Sequence, residues 1–153
     1  MADDFILDLE ALNAAFCQMV PHNLALGLEL TSVTREPSVA VIRLPWHPRL
    51  VGNPETRAPH GGAITTLIDS CCGASVYLKL RAGIPIATLD LRIDSLKPAL
   101  PDRDLFARAE CYRATRNIAF VRAIAYQDEA DPVASAAATF MLSTKGTLTA
   151  VKP

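Results

Sequence analysis

The sequence predicts an α+β fold in which a curved antiparallel sheet wraps around one long helix. After Gly62 the chain is largely apolar as far as Leu80, with no proline and only Gly73 as a helix breaker. A helix that is apolar nearly all round is expected to be enclosed by other structure. Strand-like runs with turn signals between them lie on both sides of this helix, and short links favour antiparallel neighbours.

The first predicted element is a short amphipathic helix at about 5–20, which "VPHN" then ends. Its apolar side chains at helical spacing are Phe5, Leu9, Leu12, Phe16 and Met19. From 24 to 44, apolar and polar residues alternate around the turn signal "TREPS". This pattern predicts a hairpin of two strands directly after the helix.

The segment 45–60 holds four prolines and has no consistent period. It predicts an ordered loop that leads into the long helix, expected at 62–80, where "LRAG" then supplies a basic last turn and a glycine stop. Strand-like runs follow at 85–97, 104–115, 118–128 and 132–144. The last run is rich in alanine, and small side chains there would let the helix approach the sheet closely.

The whole chain of 153 residues is expected to form a single domain, 1–153, with a core at about 24–144. A formal net charge of −1 gives no basic field, so nucleic acid is not an expected partner. The acidic start and the lack of a bilayer-length apolar run predict a cytoplasmic protein with no membrane partner. Reduced, buried thiols are expected because no CxxC spacing occurs among Cys17, Cys71, Cys72 and Cys111.

The start of the long helix, "HGGAITTLIDSCCG", combines features that suggest chemistry. Gly61 and Gly62 leave backbone N–H groups unblocked at the positive end of the helix dipole, where they could polarise a carbonyl oxygen or hold an anion. A tight turn is the simpler reading of two glycines. Asp69, however, places a carboxylate inside an apolar helix, which is costly unless the group is paired or faces a cavity. A bond to a neighbouring strand or a solvated helix edge would also explain it.

The spacing of His60 and Asp69 constrains how they act. They are nine positions apart, which on an ideal helix is about 13.5 Å of rise and leaves them on opposite faces. They cannot easily serve one substrate atom within one subunit. If two subunits pair with their long helices antiparallel, the Gly61 end of one meets Asp69 of the other, and two equivalent sites result.

The motif "HGGAITTLIDSCCGA" resembles the HGG-x(6)-D signature of the hotdog-fold thioesterases, in particular the phenylacetate-pathway and thioesterase superfamily member 2 branch. The segments "TLDLRIDSLKPA", "RATRNIAFVRA" and "AAATFMLS" resemble family segments in the same order, so the resemblance covers roughly 24–144. It implies a hotdog fold, a homodimer or a dimer of dimers, and hydrolysis of acyl-CoA thioesters without metal or cofactor.

The resemblance also implies roles for individual residues. Asp69 would be the general base or the nucleophile at the thioester carbonyl, Gly61 would give the oxyanion-binding N–H, and His60 would orient the loop or the thioester. Asn53 matches the asparagine expected to hold the attacking water or the substrate, although it lies seven residues before His60 instead of the six expected. Thr88 falls where the family often has a serine or threonine that positions the water. Physical reasoning agrees, since a thioester is already activated and needs only a carboxylate and an oxyanion site.

Other polar residues carry weaker predictions. Arg113, Arg116 and Arg122 form a basic cluster that would be a solvated hairpin face or, together, a site for the phosphates of CoA; Arg116 is the first choice, because the family segment usually carries a basic residue there. No metal site is expected, since no ligand pair has a structural-zinc spacing. A Cys–His nucleophile is disfavoured by the distance from His60 to Cys71 and Cys72. His22 and His47 are expected in solvated loops.

Two other classes of function stay open at the level of sequence. A silent hotdog module could bind acyl-CoA as a sensor or regulator, but it would be expected to lack Asp69 or the polar groups around it. A hotdog hydratase or dehydratase would use a His/Asp pair close together on one carbon chain. The opposite-face placement of His60 and Asp69 disfavours that reaction unless a dimer reunites them.

Overall fold

A six-stranded antiparallel sheet encloses a 20-residue helix in the computed structural model, which describes residues 8–143. The helix, α3 (Gly61–Leu80), packs against at least five of the six strands, so the sheet curves around it as predicted. Its second half is almost wholly buried. No helix of the described residues is both long and apolar enough to cross a membrane.

The strands follow one another out of sequence order across the sheet. They are β1 (Glu29–Thr34), β2 (Val39–Leu44), β3 (Ile86–Ser95), β4 (Leu105–Ala114), β5 (Ile118–Tyr126) and β6 (Ala134–Leu142). The sheet order is β1-β2-β4-β5-β6-β3, with every pair antiparallel. All six strands fall within the runs read from the sequence, and β3 forms one edge of the sheet. Residue 144, the predicted end of the last strand, lies outside the described residues.

The connection from β3 to β4 is not the short link between neighbouring antiparallel strands that the sequence predicts. Residues 96–104 contain Pro98 and Pro101, and they cross the end of the sheet past β6 and β5 instead of forming a hairpin. The chain is held there because the backbone N–H of Leu96 donates to Val133 and the side chain of Gln127 bonds the backbone of Leu100. β3 is thereby carried to the sheet edge beside β6.

The N-terminal region is more broken than one helix at 5–20. It consists of α1 (Leu9–Asn13), a π-helical turn at Ala14–Gln18 and a second helix, α2 (Pro21–Leu26). The motif "VPHN" begins α2, because proline is well tolerated in the first turn of a helix. Gly27, with φ 72°, ends it. The prediction of strand from 24 was therefore wrong for its first residues, and Phe5 lies outside the described residues.

Alanine does let the helix approach the sheet, but on different strands from the one predicted. α3 packs chiefly on β4 and β2, where Ala107, Ala109 and Ala40 are fully buried. The approach is close enough that the thiol Sγ of Cys71 lies 3.2 Å from the carbonyl oxygen of Ala40 and 3.3 Å from that of Ala107. The alanines of β6 are buried too, but α3 packs less on that strand.

Candidate active site

A cavity of about 470 Å³ lies along α3, between the N-terminal segment and strands β3 and β6. Its polar lining includes Asp69, which the sequence singled out. The remaining polar side chains are His22, Asn23, Thr65, Thr66, Ser70 and Thr88, and the larger apolar ones are Phe16, Val20, Ile86, Leu91 and Phe140. A cavity that combines apolar and polar side chains suits a small organic ligand.

The partly buried carboxylate of Asp69 accepts a hydrogen bond from Thr88, with Oγ1 2.8 Å from Oδ1. Within residues 8–143, Thr88 is the one hydrogen-bond donor to this side chain, and Oδ2 is free to accept a further hydrogen bond. The pairing of β3 with β6 shifts between Thr88 and Asp90, so Leu89 is the extra residue of a β-bulge. A bulge redirects neighbouring side chains and is common beside active sites.

His60 caps α3 instead of entering the cavity. Its Nδ1 accepts a hydrogen bond from the backbone N–H of Gly62 at 2.9 Å, so a neutral ring carries its proton on Nε2. Among the described residues, nothing accepts the N–H of Gly61. Apart from its chain neighbours and the nearby backbone of α3, no atom of the described residues lies within 4 Å of the position that a Cβ would take on Gly61. The first N–H of α3 is therefore open to an incoming oxygen, at the positive end of the helix dipole.

The loop before α3 is tied down at several points. Gly52 passes so close to His60 that a Cβ on it would lie 2.7 Å from the Cα of His60. Arg57, with φ 59°, makes two hydrogen bonds to Asp102, at 2.7 and 2.8 Å, and its guanidinium lies 5.8 Å from the ring centroid of Trp46. The sequence analysis missed Gly52. The signal that could have identified it is its place as a glycine in the middle of a proline-rich loop, because a glycine allows the close packing that this loop needs.

Asn53 supports this loop. Its Oδ1 accepts hydrogen bonds from the backbone N–H groups of Glu55, at 2.9 Å, and Thr56, at 3.4 Å. Asparagine commonly stabilises a turn in this way. The residue is exposed and does not line the cavity that holds Asp69.

The structure thus brings some predicted residues together and keeps others apart. Asp69 and Thr88 share the cavity, whereas His60, Gly61 and Asn53 do not line it. Gly61 and Asp69 are eight residues apart on one continuous helix, which is about 12 Å of rise. Within one chain, the open N–H and the carboxylate cannot reach one thioester carbonyl.

The three arginines also lie away from the cavity. Arg122 is on β5, where it bonds Glu110 at 3.1 Å and lies over the ring of Tyr112, and Arg113 pairs in register with Phe120. Arg116 occupies the turn between β4 and β5. Within the described part of the chain, no carboxylate pairs with Arg113 or Arg116.

His22 lines the cavity, and it is exposed to solvent as predicted, but it does not lie in a loop. It lies on α2, and its Nε2 is 3.1 Å from the hydroxyl oxygen of Thr66. Asn23, the next residue, is buried and donates to the hydroxyl of Ser70 at 2.9 Å. Only the unpredicted second helix brings these side chains to α3. His47 is in the exposed loop as predicted, where its Nδ1 accepts from the N–H of Arg49.

The four cysteines are free thiols and all buried, as predicted. Burial raises the pKa of the Cys71 thiol to about 12, and burial likewise raises the pKa of Cys72 well above its ordinary value. A thiol acts as a nucleophile in its ionised form, so neither cysteine suits that role. In residues 8–143 no three His, Cys, Asp or Glu side chains are grouped to hold a metal ion.

Comparison with known proteins identifies the family of this chain. The family profile of the thioesterase superfamily matches residues 59–134, which contain Gly61, Asp69 and Thr88. The medium/long-chain acyl-CoA thioesterase YigI of Escherichia coli is 30% identical over 147 residues, covering 88% of this chain and 93% of that protein.

Solved structures show the same fold. A crystal structure of a Pseudomonas aeruginosa protein is 41% identical, covers 87% of this chain and 97% of its own, and superposes with a TM-score of 0.77. The E. coli PaaI protein from the phenylacetic acid degradation operon has a TM-score of 0.76 at 20% identity, with 93% of this chain and 100% of that one covered. PaaI supports the hotdog fold alone. With a relative 30% identical over most of both chains, this chain belongs to the thioesterase superfamily and is a thioesterase.

Proposed function

We propose that the protein hydrolyses acyl-CoA thioesters to the free acid and CoA, with Asp69 as the carboxylate that acts at the thioester carbonyl. The observation that carries this proposal is the hydrogen bond from Thr88 to Asp69 in the wall of the cavity. It orients the carboxylate and leaves Oδ2 to accept a proton from water or to attack the carbonyl itself. The E. coli relative is named as an acyl-CoA thioesterase, which supports CoA as the carrier.

The oxyanion site is proposed to come from a second copy of the chain. The open N–H of Gly61 has the geometry to stabilise the negative charge that develops on a thioester oxygen. It lies too far along α3 to serve Asp69 of its own chain. Two copies with antiparallel long helices would place the Gly61 of each beside the Asp69 of the other.

The edge strand β3 supports this dimer. Among the described residues it has a neighbouring strand on one side only, and it exposes Leu89, which is 53% accessible. A long edge strand with apolar side chains tends to pair with another strand. Pairing of two β3 strands would also bury Thr88 and shield the carboxylate at its partner, Asp69. Two such dimers could associate further.

Arg116 is the proposed contact for the phosphates of CoA. The register places Thr88 opposite Phe140, and Phe140 opposite Ala119. Arg116 lies in the turn just before Ala119, at the same end of the sheet as the proposed chemistry. It carries no internal ion pair among the described residues, whereas Arg122 is engaged by Glu110. Arg113 is proposed as an auxiliary contact, and Arg122 as a weaker one.

The test of the carboxylate is the variant Asp69→Asn, assayed against a panel of acyl-CoA substrates. We expect turnover to fall at least about a hundredfold, the usual scale for a positioned acid or base. Asp128→Asn is the matched control, because Asp128 accepts from a backbone N–H in the β5–β6 turn and asparagine retains that bond. Near-normal hydrolysis by the folded Asp69→Asn protein would overturn the assignment, and binding without hydrolysis by the wild type would indicate a silent module.

A further inference from the structure

We propose that Phe16 is the end wall of the acyl pocket and sets the longest acyl chain that the protein accepts. This inference rests on the proposed function, since it assigns the cavity beside Asp69 to the acyl group. Four observations carry it: the direction of the cavity, the glycine beneath the ring, the aromatic ring behind it and the polar contacts that hold the segment.

The cavity has a direction that can be read from its walls. Thr88 contacts Asp69, and two residues earlier on β3 the Cδ1 of Ile86 lies 3.8 Å from the Cβ position of Gly73. Gly73 is one helical turn beyond Asp69 on the same face of α3. Moving from Asp69 towards Gly73 therefore leads from the carboxylate to a wall formed by Ile86 and Phe16.

The ring of Phe16 rests directly on the backbone of α3. A Cβ on Gly73 would lie 2.9 Å from Cε1 of Phe16 and 3.5 Å from its Cζ. A glycine inside a helix weakens that helix, so its presence at this buried position needs a reason. The reason is the contact with the ring, since any larger residue at 73 would displace it.

Two further contacts fix the ring. Behind it, the ring of Tyr77 lies edge-on with centroids 5.3 Å apart and an interplanar angle of 63°. The carbonyl oxygen of Phe16 accepts a hydrogen bond of 2.7 Å from the side chain of Asn23, which also donates to Ser70 on α3. Asn23 is buried, with 5% of its surface accessible. The π-helical turn that carries Phe16 is thus fastened to the helix that carries Asp69.

This arrangement selects a ligand by length. An alkyl chain makes no hydrogen bonds. A wall of Phe16, Ile86 and Phe140 would therefore recognise it by apolar contact alone. An acyl chain that starts at a carbonyl near Asp69 meets Phe16 after a distance of about one turn of α3. One methylene more or less in such a pocket changes kcat/KM by about tenfold or more.

The experiment compares saturated acyl-CoA substrates of increasing length in the wild type and in two variants. Phe16→Ala opens the end wall, so the substrate with the highest kcat/KM should become longer, and the ratio of longer to shorter substrates should rise at least about tenfold. Gly73→Ala pushes the ring away from α3 and, with Tyr77 behind it, into the cavity. Its preferred substrate should become shorter.

Phe106→Ala is the matched control, because Phe106 is a partly buried phenylalanine that does not line the cavity. Its ring stacks on that of Tyr126, with centroids 5.7 Å apart. The Phe106→Ala variant should keep the wild-type length profile. If Phe16→Ala fails to fold, Phe16→Leu makes the same test with a smaller expected shift. A length profile of the folded Phe16 variant that matches the control would overturn the proposal.

A parallel binding series with non-hydrolysable thioether analogues of the same acyl-CoAs separates this inference from the proposed function. A shift in the preferred length of the analogues without hydrolysis by the wild type would support the end wall and refute the acyl-CoA hydrolase. Hydrolysis with no shift in either series would do the reverse. Failure of every analogue to bind would overturn both.

Discussion

At the scale of single residues, the hydroxyl of Thr88 determines how the carboxylate of Asp69 is presented. The bond of 2.8 Å occupies Oδ1 and fixes the plane of the carboxylate against β3. A hydrogen bond to a charged group is worth about 1.5–3 kcal/mol. Without it, no other hydrogen-bond donor of residues 8–143 would hold the carboxylate.

We predict that Thr88→Val lowers kcat roughly ten- to a hundredfold, in line with that energy, while Thr88→Ser retains most of it. Valine keeps the branched shape of threonine, so the comparison isolates the hydroxyl. Steady-state kinetics with one acyl-CoA substrate suffice to measure the effect. Equal rates for the two variants would mean that the hydroxyl has no part in the reaction.

A second prediction concerns Arg116. Phosphates remote from the carbonyl contribute mainly uniform binding, so Arg116→Ala should raise KM for acyl-CoA about fivefold, or ~1 kcal/mol, and leave kcat nearly unchanged. The effect should shrink as salt rises because the contact is exposed. The acyl thioester of N-acetylcysteamine, which lacks the nucleotide, serves as the control substrate and should be unaffected. An unchanged KM for acyl-CoA would leave Arg116 as a solvated turn residue.

Sequence reasoning works at this scale where a residue conflicts with its surroundings. Asp69 could be found because a carboxylate in an apolar helix is costly, and Gly61 because two glycines open a helix start. His22 could not be predicted as a cavity residue, because nothing in "VPHN" indicates that a second helix will fold back onto Thr66. Its position depends on tertiary packing alone.

At the scale of elements, the exposed edge of β3 is the feature most open to experiment. We predict that Leu89→Lys converts the proposed dimer to monomer and lowers activity at least about tenfold, because an edge lysine opposes strand pairing. Light scattering after size exclusion measures the mass, and the same sample is assayed. Leu100→Lys is the matched control, since Leu100 is 54% exposed, against 53% for Leu89, and lies in the β3–β4 connection.

The dimer proposal fails if the wild type is itself a fully active monomer. It also fails if Leu89→Lys retains the mass of the wild type together with β3 pairing. A loss of activity in both lysine variants at unchanged mass would indicate general destabilisation instead.

Elements were predictable where their periodicity was unbroken. The core of α3 and four strands after it follow from local pattern, since period and turn residues are local properties. The order of strands is not local. Residues 96–104 read as a short link, yet contacts with Val133 and Gln127 carry the chain across two strands. The break of the first helix at a π-turn was hidden for the same reason, because Asn23 stabilises it from outside the segment.

At the scale of the whole molecule, sharing of sites between chains gives the most decisive prediction. Gly61→Pro removes the backbone N–H but suits the first position of a helix, and His60, with ψ 136°, has the backbone that a following proline requires. The Asp69→Asn and Gly61→Pro proteins should each be inactive. Unfolded and refolded together, they should recover about a quarter of wild-type activity, because half of the random dimers then hold one intact site.

Gly61→Ala, which keeps the N–H and has open space for its Cβ, measures the effect of the added carbon alone. Mixtures that stay inactive while mixed dimers are present would place both groups of each site in one chain. The separation of about 12 Å along α3 would then have to be bridged by a different donor.

The fastened loop before α3 has a consequence for how fast a substrate is captured. The loop that leads to the helix start is held in one conformation by two contacts. Gly52 packs closely on His60, and Arg57 makes hydrogen bonds to Asp102. Ordering a residue of flexible chain costs about 1–2 kcal/mol of conformational entropy, and here that cost is met during folding instead of at each encounter. No loop has to close before the N–H of Gly61 faces an incoming oxygen. The rate of substrate binding should then be governed by diffusion and electrostatic attraction. Removing the hydrogen bonds between Arg57 and Asp102 would slow association without changing the carboxylate of Asp69.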